Sequence, residues 1–310
     1  MNINRVKNIV KRWKGQWLYF SPKIAISDFL VSTVFRKSNG KIKHNLNVFY
    51  YNKAKSIICE RYPEVVKKWK CQKMDLDKIE RVSCESKIFV FWWQGYSDMP
   101  YIVRECIKTI NEHSGKHEMV IIDKDSWANY ATIPNYILQL RNQGTINFTL
   151  FSDILRCCLL YENGGIWIDP TCYITEDFHA DIYDYAFYTI KHGDNWSHPI
   201  CKGYWATFFL ACGKKNPIIG FMRELFFEYW KHEKFFVVYL SLDLFLAIAY
   251  ENFDYAKKMI DDIPYNNRGR DQLREMLVKS KGRNFKELIK EVESNTYINK
   301  LTYKMNIEKI

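Results

Sequence analysis

Three charged side chains whose spacing could support ligand binding, Asp153, Arg156 and Asp169, lie within residues 148–175. Asp153 and Arg156 are three positions apart, so a helix would place them on one face. There they could form an ordinary ion pair, or bind a ligand through charge-assisted hydrogen bonds of fixed geometry. Asp169 directly follows the apolar run Ile166–Ile168, which predicts a short buried strand with Asp169 exposed at its end. Because ligands of open α/β sheets bind at the carboxyl ends of strands, we expect these side chains to form one polar site.

The elements that would position this site are a helix and a strand joined by a glycine pair. Apolar residues recur at helical spacing over residues 154–161, which predicts a helix with one buried face. Ser152 stands where an N-cap is expected, and Asp153 would then lie in the first turn, where the helix dipole favours negative charge. Gly164 and Gly165 would end the helix, because glycine readily adopts the left-handed conformation of a C-cap.

The preceding segment has the pattern of a strand–helix–strand unit. Lys87–Trp93 is an almost uninterrupted apolar run, typical of a strand buried on both faces of a parallel sheet. A helix is predicted over Pro100–Asn111, with proline near its start, and a second strand over Met119–Ile122. Such a unit predicts a right-handed crossover and a parallel sheet.

The remaining elements are assigned from the same patterns. Further strands are expected at Tyr185–Ile190 and Thr207–Ala211, and helices at Asn2–Tyr19, Ile133–Arg141, Pro217–Lys231, Phe235–Tyr250 and Asp271–Lys279. Residues 1–86 are predicted to be a mainly helical N-terminal region, and residues 87–310 a single α/β domain on which that region packs.

Composition excludes several classes of protein. The chain has 310 residues, of which 47% are hydrophobic, enough for a sizeable core. Its 9 cysteines form no C-x-x-C pair, so we expect reduced thiols in a cytosolic protein, without a disulfide framework or zinc site. The apolar run Ile24–Phe35 is too short to span a bilayer, and Asp243 interrupts the longer run near residue 240, so no integral membrane protein is expected.

Positive charge is concentrated in the N-terminal quarter. Residues 1–87 contain 20 Lys and Arg against 7 Asp and Glu, whereas the rest of the chain contains 26 against 28. Such a segment could be a solvated surface, bind anionic lipid or bind nucleic acid. We expect no nucleic-acid partner, because no zinc-finger, RNP or helix-turn-helix pattern is present.

Three short motifs, in order, carry a resemblance to a known family. They are Trp92-Trp93-Gln94-Gly95, Ser152-Asp153-x-x-Arg156 and Gly164-Gly165-x-x-x-Asp169-Pro-Thr171. The chain resembles the capsular polysaccharide synthesis proteins, relatives of glycosyltransferase family 32. The resemblance covers residues 87–175 and continues more loosely through Trp205, residues 239–250 and residues 299–304. It implies a GT-A-like fold, a nucleotide-sugar donor and a D-x-D motif at a strand end.

The resemblance also implies roles for individual residues. Trp93 would stack on the base of the donor, although a Trp beside Trp92 could equally be a core residue. Asp153 and Arg156 would hydrogen-bond the hydroxyl groups of the sugar. The remaining donor-binding residues would be Gln94, Ser152, Gly164, Gly165 and Asp169.

A divalent metal, Mn²⁺ or Mg²⁺, is expected at the D-x-D position. Asp169 matches the first acid of the motif, but Thr171 stands in place of the second and would have to bind through its hydroxyl or a water. Asp243 is the candidate for a further acid, reaching the metal or the acceptor hydroxyl. It could equally pair with a Lys or Arg, because an unpaired charge in an apolar helix is costly.

The resemblance therefore implies a glycosyltransferase that adds a sugar to a growing, lipid-linked bacterial surface glycan. Retention of anomeric configuration is expected, as in the related families, with Asp153, Arg156, Asp169 and Asp243 as the catalytic residues. Two alternatives remain: a sugar-phosphate transferase of capsule synthesis, or a degenerate subunit that binds or assembles glycans, since Thr171 replaces an acid. We expect a cytoplasmic protein, peripheral at the inner face of the membrane through residues 1–86.

Overall fold

The central feature of the computed structural model is a 5-stranded sheet with the order β2-β1-β3-β6-β5. The model describes residues 3–194, 196–279 and 283–304. The strands are β1 (Ile88–Phe91), β2 (Met119–Ile122), β3 (Gly165–Ile168), β5 (Phe187–Thr189) and β6 (Phe209–Cys212), while β4 (Cys172–Ile174) and β7 (Ile298–Lys300) form a separate antiparallel pair. In the large sheet four strands run in one direction and β6 runs against its neighbours. The predicted α/β class with a mainly parallel sheet is confirmed.

Helices cover the sheet and form the N-terminal region. They are α1 (Ile3–Tyr19), α2 (Pro22–Ser32), α3 (Lys41–Arg61), α4 (Pro63–Lys70), α5 (Tyr101–Glu112), α6 (Asn135–Asn142), α7 (Phe148–Asn163), α8 (Pro217–His232), α9 (Ser241–Asn252), α10 (Asp254–Asp261), α11 (Gln272–Lys279) and α12 (Phe285–Lys290). Most predicted helices and strands agree with these bounds to within two residues, and the predicted unit is present as β1–α5–β2 with parallel pairing.

The start of α7 differs from the sequence-based prediction. Its N-cap is Asn147, whose side chain accepts a hydrogen bond from the Leu150 amide, so Ser152 lies inside the helix and Asp153 is beyond the first turn. Ser152 and Asn147 are both good capping residues, and local sequence alone did not show which one ends the preceding loop. The helix ends at Gly164 as predicted, but with φ 68° and ψ −166° this glycine does not adopt the left-handed helical conformation that the prediction assumed.

The predicted helix Phe235–Tyr250 is also wrong in its first part. Residues 235–240 form a loop, and α9 begins at Ser241. The Tyr229 hydroxyl donates to the Phe235 carbonyl at 2.6 Å and accepts from the Val237 amide at 2.8 Å. These bonds satisfy backbone groups that a helix would otherwise have paired. Asp243 consequently lies in the first turn of α9, not in the middle of an apolar helix.

The N-terminal helices share the hydrophobic core of the α/β part. Tyr50 and Ile58 of α3 are buried in the same cluster as β1, and the buried Gln16 amide donates to Tyr50 Oη at 2.9 Å and to the Val237 carbonyl at 3.0 Å. The N-terminal region, from residue 3 to residue 86, therefore packs on the rest of the chain. The boundary between residues 86 and 87 stays a prediction.

The helices and the cysteines bear on the expected class of the protein. Among the helices of the described residues, none is long and apolar enough to cross a bilayer. All 9 cysteines are free thiols, and Cys157 and Cys158, adjacent on α7, are both fully buried.

Candidate active site

Arg156 contacts both of the other charged side chains that were predicted to form a site with it. It extends from α7 toward the carboxyl end of β3, where Asp169 follows Ile168. Its Nη2 lies 3.2 Å from Asp169 Oδ1 and 3.5 Å from Asp153 Oδ1. The structure thus brings Asp153, Arg156 and Asp169 together. The contact with Asp169 joins α7 to the end of β3, whereas an ordinary i,i+3 ion pair would stay within the helix.

Both carboxylate oxygens of Asp169 face hydrogen-bond donors. Its Oδ1 also accepts from Trp167 Nε1 at 2.9 Å, and its Oδ2 accepts from Lys300 Nζ at 2.6 Å. Burial alone would raise the pKa of Asp169, but the positive charges of Lys300 and Arg156 hold it below its usual value. Asp169 is therefore ionised at neutral pH. It is largely covered, with 24% of its side chain exposed, and not freely exposed as the sequence suggested.

Lys300 reaches Asp169 because the C-terminal strand returns to the loop that follows β3. Strand β7 pairs with β4, and this pairing places Lys300 opposite Cys172, three residues after Asp169. The Lys300 amide donates to the Arg270 carbonyl at 2.7 Å. Both cations lie near the Phe208 ring, Lys300 Nζ at 5.1 Å and the Arg270 guanidinium at 5.6 Å from its centroid. Neither cation was predicted as a site residue.

Arg156 is fixed on several sides. Only 5% of it is exposed, its guanidinium lies 4.5 Å from the centroid of the Trp167 ring, and its Nη1 donates to the Thr207 carbonyl. A guanidinium can bond three acceptors in one plane, which an ammonium group cannot do with the same geometry. Arg156 therefore holds the middle of α7, the end of β3 and the segment before β6 in a fixed relation.

Asp153 is the titratable group of this network. Burial raises its pKa to about 7, Arg156 opposes the increase, and the charges of Asp243 and Asp169 add to it. A carboxyl group with a pKa near neutrality can either accept or donate a hydrogen bond under physiological conditions.

Asp243 lies beside the network without an ion-pair partner of its own among the described residues. Its Oδ1 accepts from Trp205 Nε1 at 3.1 Å and its Oδ2 from Thr207 Oγ1 at 3.2 Å. Burial raises its pKa, and these two donors oppose the increase. The alternative that Asp243 forms a close pair with a Lys or Arg is thus not the observed arrangement, because neutral donors take both oxygens.

Trp93 is half-buried near the start of α7. Its ring packs on Phe148 and Phe151, with centroids at 5.5 and 5.6 Å, and the Arg141 guanidinium lies 4.1 Å from its centroid. Arg141, which sequence reasoning missed, thus occupies space near a ring that was expected to stack on a base. Gln94 is exposed and Ser152 half-buried. The donor-binding roles of Trp93, Gln94 and Ser152 stay predictions.

Gly164 and Gly165 lie at the opposite end of β3 from Asp169, roughly 13 Å away for a four-residue strand. A Cβ on Gly164 would approach the Lys214 amide nitrogen to 2.7 Å, and one on Gly165 would approach the Lys87 carbonyl oxygen to 2.5 Å. Close backbone packing accounts for both glycines. The structure does not place the two glycines at the end of β3 where Asp169 lies.

The residues at the D-x-D position do not fit a protein-built metal site. Thr171 is buried, and among the described residues no group of three or more His, Cys, Asp or Glu is placed to hold an ion. Asp169, which is ionised, already faces the cations Arg156 and Lys300. A divalent ion bound to it would lie close to both positive charges. The expectation that Asp169 and Thr171 bind Mn²⁺ or Mg²⁺ stays a prediction.

Comparison with known proteins assigns the chain to a family. Residues 33–310 match the model of the capsular polysaccharide synthesis protein family, and the chain belongs to this family. A search of curated proteins finds no match. A solved structure titled PaToxG Glycosyltransferase is similar at 18% identity, with a TM-score of 0.35, covering 68% of this chain and 82% of that chain. This likeness is too weak to support an inference.

Proposed function

We propose that this protein is a glycosyltransferase that moves a sugar from a nucleotide-sugar donor to a growing bacterial surface glycan, capsular or related. The observation that carries the proposal is the network of Asp153, Arg156 and Asp169 at the carboxyl end of β3, in a chain of the capsular polysaccharide synthesis family. A strand end with ionised and hydrogen-bonding groups of fixed geometry suits a polyhydroxyl ring linked to a diphosphate.

Each member of the network has a proposed task. Asp153 and Arg156 bind hydroxyl groups of the donor sugar, and Asp169 binds the ribose. Asp243, held by Trp205 and Thr207, faces the acceptor hydroxyl. We propose retention of configuration, as in the families that the chain resembles, by attack on the same face as the departing diphosphate and without a covalent intermediate.

The acceptor is proposed to be linked to a lipid at the membrane surface. The α1–α2 pair exposes the apolar side chains of Trp17, Leu18, Ile26 and Phe29, with exposed lysines on the same helices. On α1 these lysines, at positions 7, 11 and 14, lie at helical spacing with Trp17 and Leu18 on one exposed face. Apolar side chains mixed with cations are typical of helices that lie in the interface of an anionic bilayer.

A cleft of about 510 Å³ lies next to this helix pair. Its lining includes the exposed cations Lys11 and Lys234 and the aromatic residues Phe235 and Tyr239, beside Arg12, which is paired with Asp28. Cations suit the phosphate of a lipid-linked acceptor, and aromatic faces suit its sugars. We propose that the acceptor approaches from this side, by way of the segment that precedes Asp243.

The test is to incubate the purified full chain with a panel of nucleotide-sugars and short oligosaccharide acceptors, and to identify the released nucleotide by chromatography. Release of a nucleoside diphosphate is expected. Release of a monophosphate would instead indicate a sugar-phosphate transferase, and absence of turnover with every donor would favour a non-catalytic, glycan-binding subunit.

A pair of isosteric variants connects the activity with the site. Asp169→Asn should lower turnover at least about 100-fold, because charge-assisted hydrogen bonds at the centre of the network are lost. Asp254→Asn, at an exposed position on α10, should retain turnover within about twofold. Equal activity of the two variants, both shown to be folded by circular dichroism, would contradict the proposed site.

A further inference from the structure

We propose that Lys300, together with Arg270, binds the diphosphate of the donor and neutralises the charge that develops on it, so that this enzyme transfers sugar without a divalent metal. The proposal rests on the proposed function, since it concerns the donor of that same reaction. It comes from the disagreement between the metal expected at a D-x-D motif and the groups that surround Asp169.

Neighbouring side chains already contact both oxygens of the Asp169 carboxylate. A metal ligand must offer a free lone pair on its carboxylate, and magnesium sites usually combine one or two carboxylates with the phosphates of the substrate. Here Oδ2 of Asp169 is bonded to Lys300 at 2.6 Å, and Oδ1 faces Arg156 at 3.2 Å and Trp167 at 2.9 Å. The position of the second acid is taken by the buried Thr171. Donors therefore face both oxygens of Asp169, and no second carboxylate is present at position 171 to complete a metal site.

Positive charge flanks Asp169 on two sides. Arg156 lies 3.2 Å from its Oδ1 and Lys300 lies 2.6 Å from its Oδ2, and Arg270 lies with Lys300 near the Phe208 ring. Such a site attracts an anion more strongly than a metal ion. A diphosphate brings about the two negative charges that a metal would otherwise neutralise.

Arg270 is held beside Lys300 in a way that leaves it able to bind a phosphate. Its Nε donates to Asp271 Oδ2 at 3.0 Å and its Nη2 to His198 Nε2 at 2.9 Å. Because arginine only donates, His198 must be the acceptor, and burial together with Arg270 lowers the pKa of His198. Within the described residues no hydrogen bond uses Nη1 of Arg270. That nitrogen is available to a ligand near Phe208, the ring that both cations approach.

The chemical step balances with these groups alone. The bond between the anomeric carbon and the diphosphate oxygen breaks, and its electron pair stays on the diphosphate. The acceptor hydroxyl oxygen bonds to the anomeric carbon on the same face, and its proton passes to the departing diphosphate oxygen. Lys300 and Arg270 stabilise the negative charge on the diphosphate as the bond breaks.

The experiment measures nucleotide binding by calorimetry in EDTA and in Mn²⁺, for wild type, Lys300→Gln and the exposed control Lys286→Gln. The probes are UDP, GDP, ADP and CDP, each compared with its nucleoside. Wild type should bind one diphosphate in EDTA about as tightly as in Mn²⁺. Lys300→Gln should weaken that diphosphate roughly 10- to 100-fold while leaving the nucleoside unchanged, as expected for a lost charge-assisted contact to phosphate. Lys286→Gln should match wild type, and Lys300→Arg should restore part of the loss.

Three outcomes would overturn the proposal. Diphosphate binding or turnover that appears only with Mn²⁺ would show that a metal is required. Loss of nucleoside and diphosphate alike in Lys300→Gln would show that Lys300 merely holds Asp169 in place. If wild type binds no nucleotide with or without metal, the proposed function itself fails, and this inference fails with it.

Discussion

Lys300 Nζ lies 2.6 Å from Asp169 Oδ2, although 131 residues separate the two in sequence. Asp169 directly follows strand β3 of the central sheet, whereas Lys300 ends the C-terminal strand β7, and the pairing of β7 with β4 sets their distance. The candidate site is therefore completed by the last strand of the chain. The ionised state of Asp169 depends on this pairing, because burial without Lys300 and Arg156 would favour the protonated form.

Asp153 should make the stability of the protein depend on pH. Its pKa of about 7 in the folded protein lies above the unfolded value of 3.8, so the folded state favours the protonated form. The stabilisation is fully present below about pH 4 and is lost as pH rises through about 7. Asp153→Asn, which cannot ionise, should therefore be more stable than wild type at pH 8, by roughly 2 to 4 kcal/mol, and should differ little at pH 4.

Urea unfolding of both proteins at pH 4, 6 and 8 measures this difference. Asp254→Asn, an exposed carboxylate on α10, is the matched control and should follow wild type across the series. A constant difference between Asp153→Asn and wild type at all three values would show that Asp153 has an ordinary pKa.

Gly164→Ala should destabilise the fold without affecting nucleotide binding. Gly164 has φ 68° and ψ −166°, a region open essentially to glycine, and a Cβ there would approach the Lys214 nitrogen to 2.7 Å. We expect a loss of about 3 kcal/mol or more in the free energy of unfolding. Gly115→Ala is the control, because Gly115 also has positive φ, at 59°, but a Cβ there meets nothing within 4 Å. It should cost about 1 kcal/mol.

Chemical denaturation gives the two stabilities, and calorimetry with the nucleotide that wild type binds gives the affinity. If the folded Gly164→Ala protein bound that nucleotide much more weakly, the glycine pair would have a role at the donor site, as the family resemblance implied.

Sequence and structure agree best where the sequence pattern that supports a prediction is local. The strands β1, β2 and β3 were predictable because buried parallel strands are short apolar runs, and Asp153 and Arg156 were predictable as partners because helical spacing is local. The start of α7 was missed because Asn147 and Ser152 are both capping residues, and only the tertiary structure selects between them.

The cationic half of the site had almost no local signal. Lys300 was visible only as part of the tail, residues 299–304, that the family resemblance covers loosely, and nothing in the sequence pointed to Arg270. Both reach the site through the antiparallel pairing of β4 with β7. Such long-range pairing depends on register and packing that a single sequence does not display.

The α1–α2 surface should bind anionic membranes through its apolar side chains. Leu18 is 73% exposed, so its replacement with serine removes little buried area, whereas Trp17, at 43% exposed, also loses the packing of its buried part. Trp17→Ser/Leu18→Ser should lower binding to vesicles of phosphatidylglycerol and phosphatidylcholine roughly tenfold or more. Circular dichroism should show a folded double variant, with a melting temperature several degrees below that of wild type because part of Trp17 is buried.

Flotation of the full chain with these vesicles, at low and at 0.5 M salt, measures the effect. Replacing Val278, which is 66% exposed on α11, with serine is the matched control and should not change flotation. Binding that is equal for anionic and purely phosphatidylcholine vesicles, or unaffected by the double substitution, would be contrary to the proposed membrane surface.

Arg156→Lys should be nearly inactive despite keeping the positive charge. The guanidinium contacts Asp153, Asp169 and the Thr207 carbonyl together, and a lysine ammonium cannot reach the three acceptors with the same geometry. We expect donor turnover to fall about 100-fold, mainly in kcat, because the sugar is no longer held in one orientation.

The control is Arg223→Lys. Arg223 also lies over an aromatic ring, at 4.4 Å from the Tyr161 centroid, and pairs with Glu162. Since Arg223 has no contact with the network, its variant should retain turnover within about threefold. Steady-state kinetics of the two variants with the donor that wild type uses compare them directly. Comparable losses in both would mean that the effect of Arg156→Lys comes from general destabilisation of the fold, whereas a selective loss would assign the orientation of the donor sugar to Arg156.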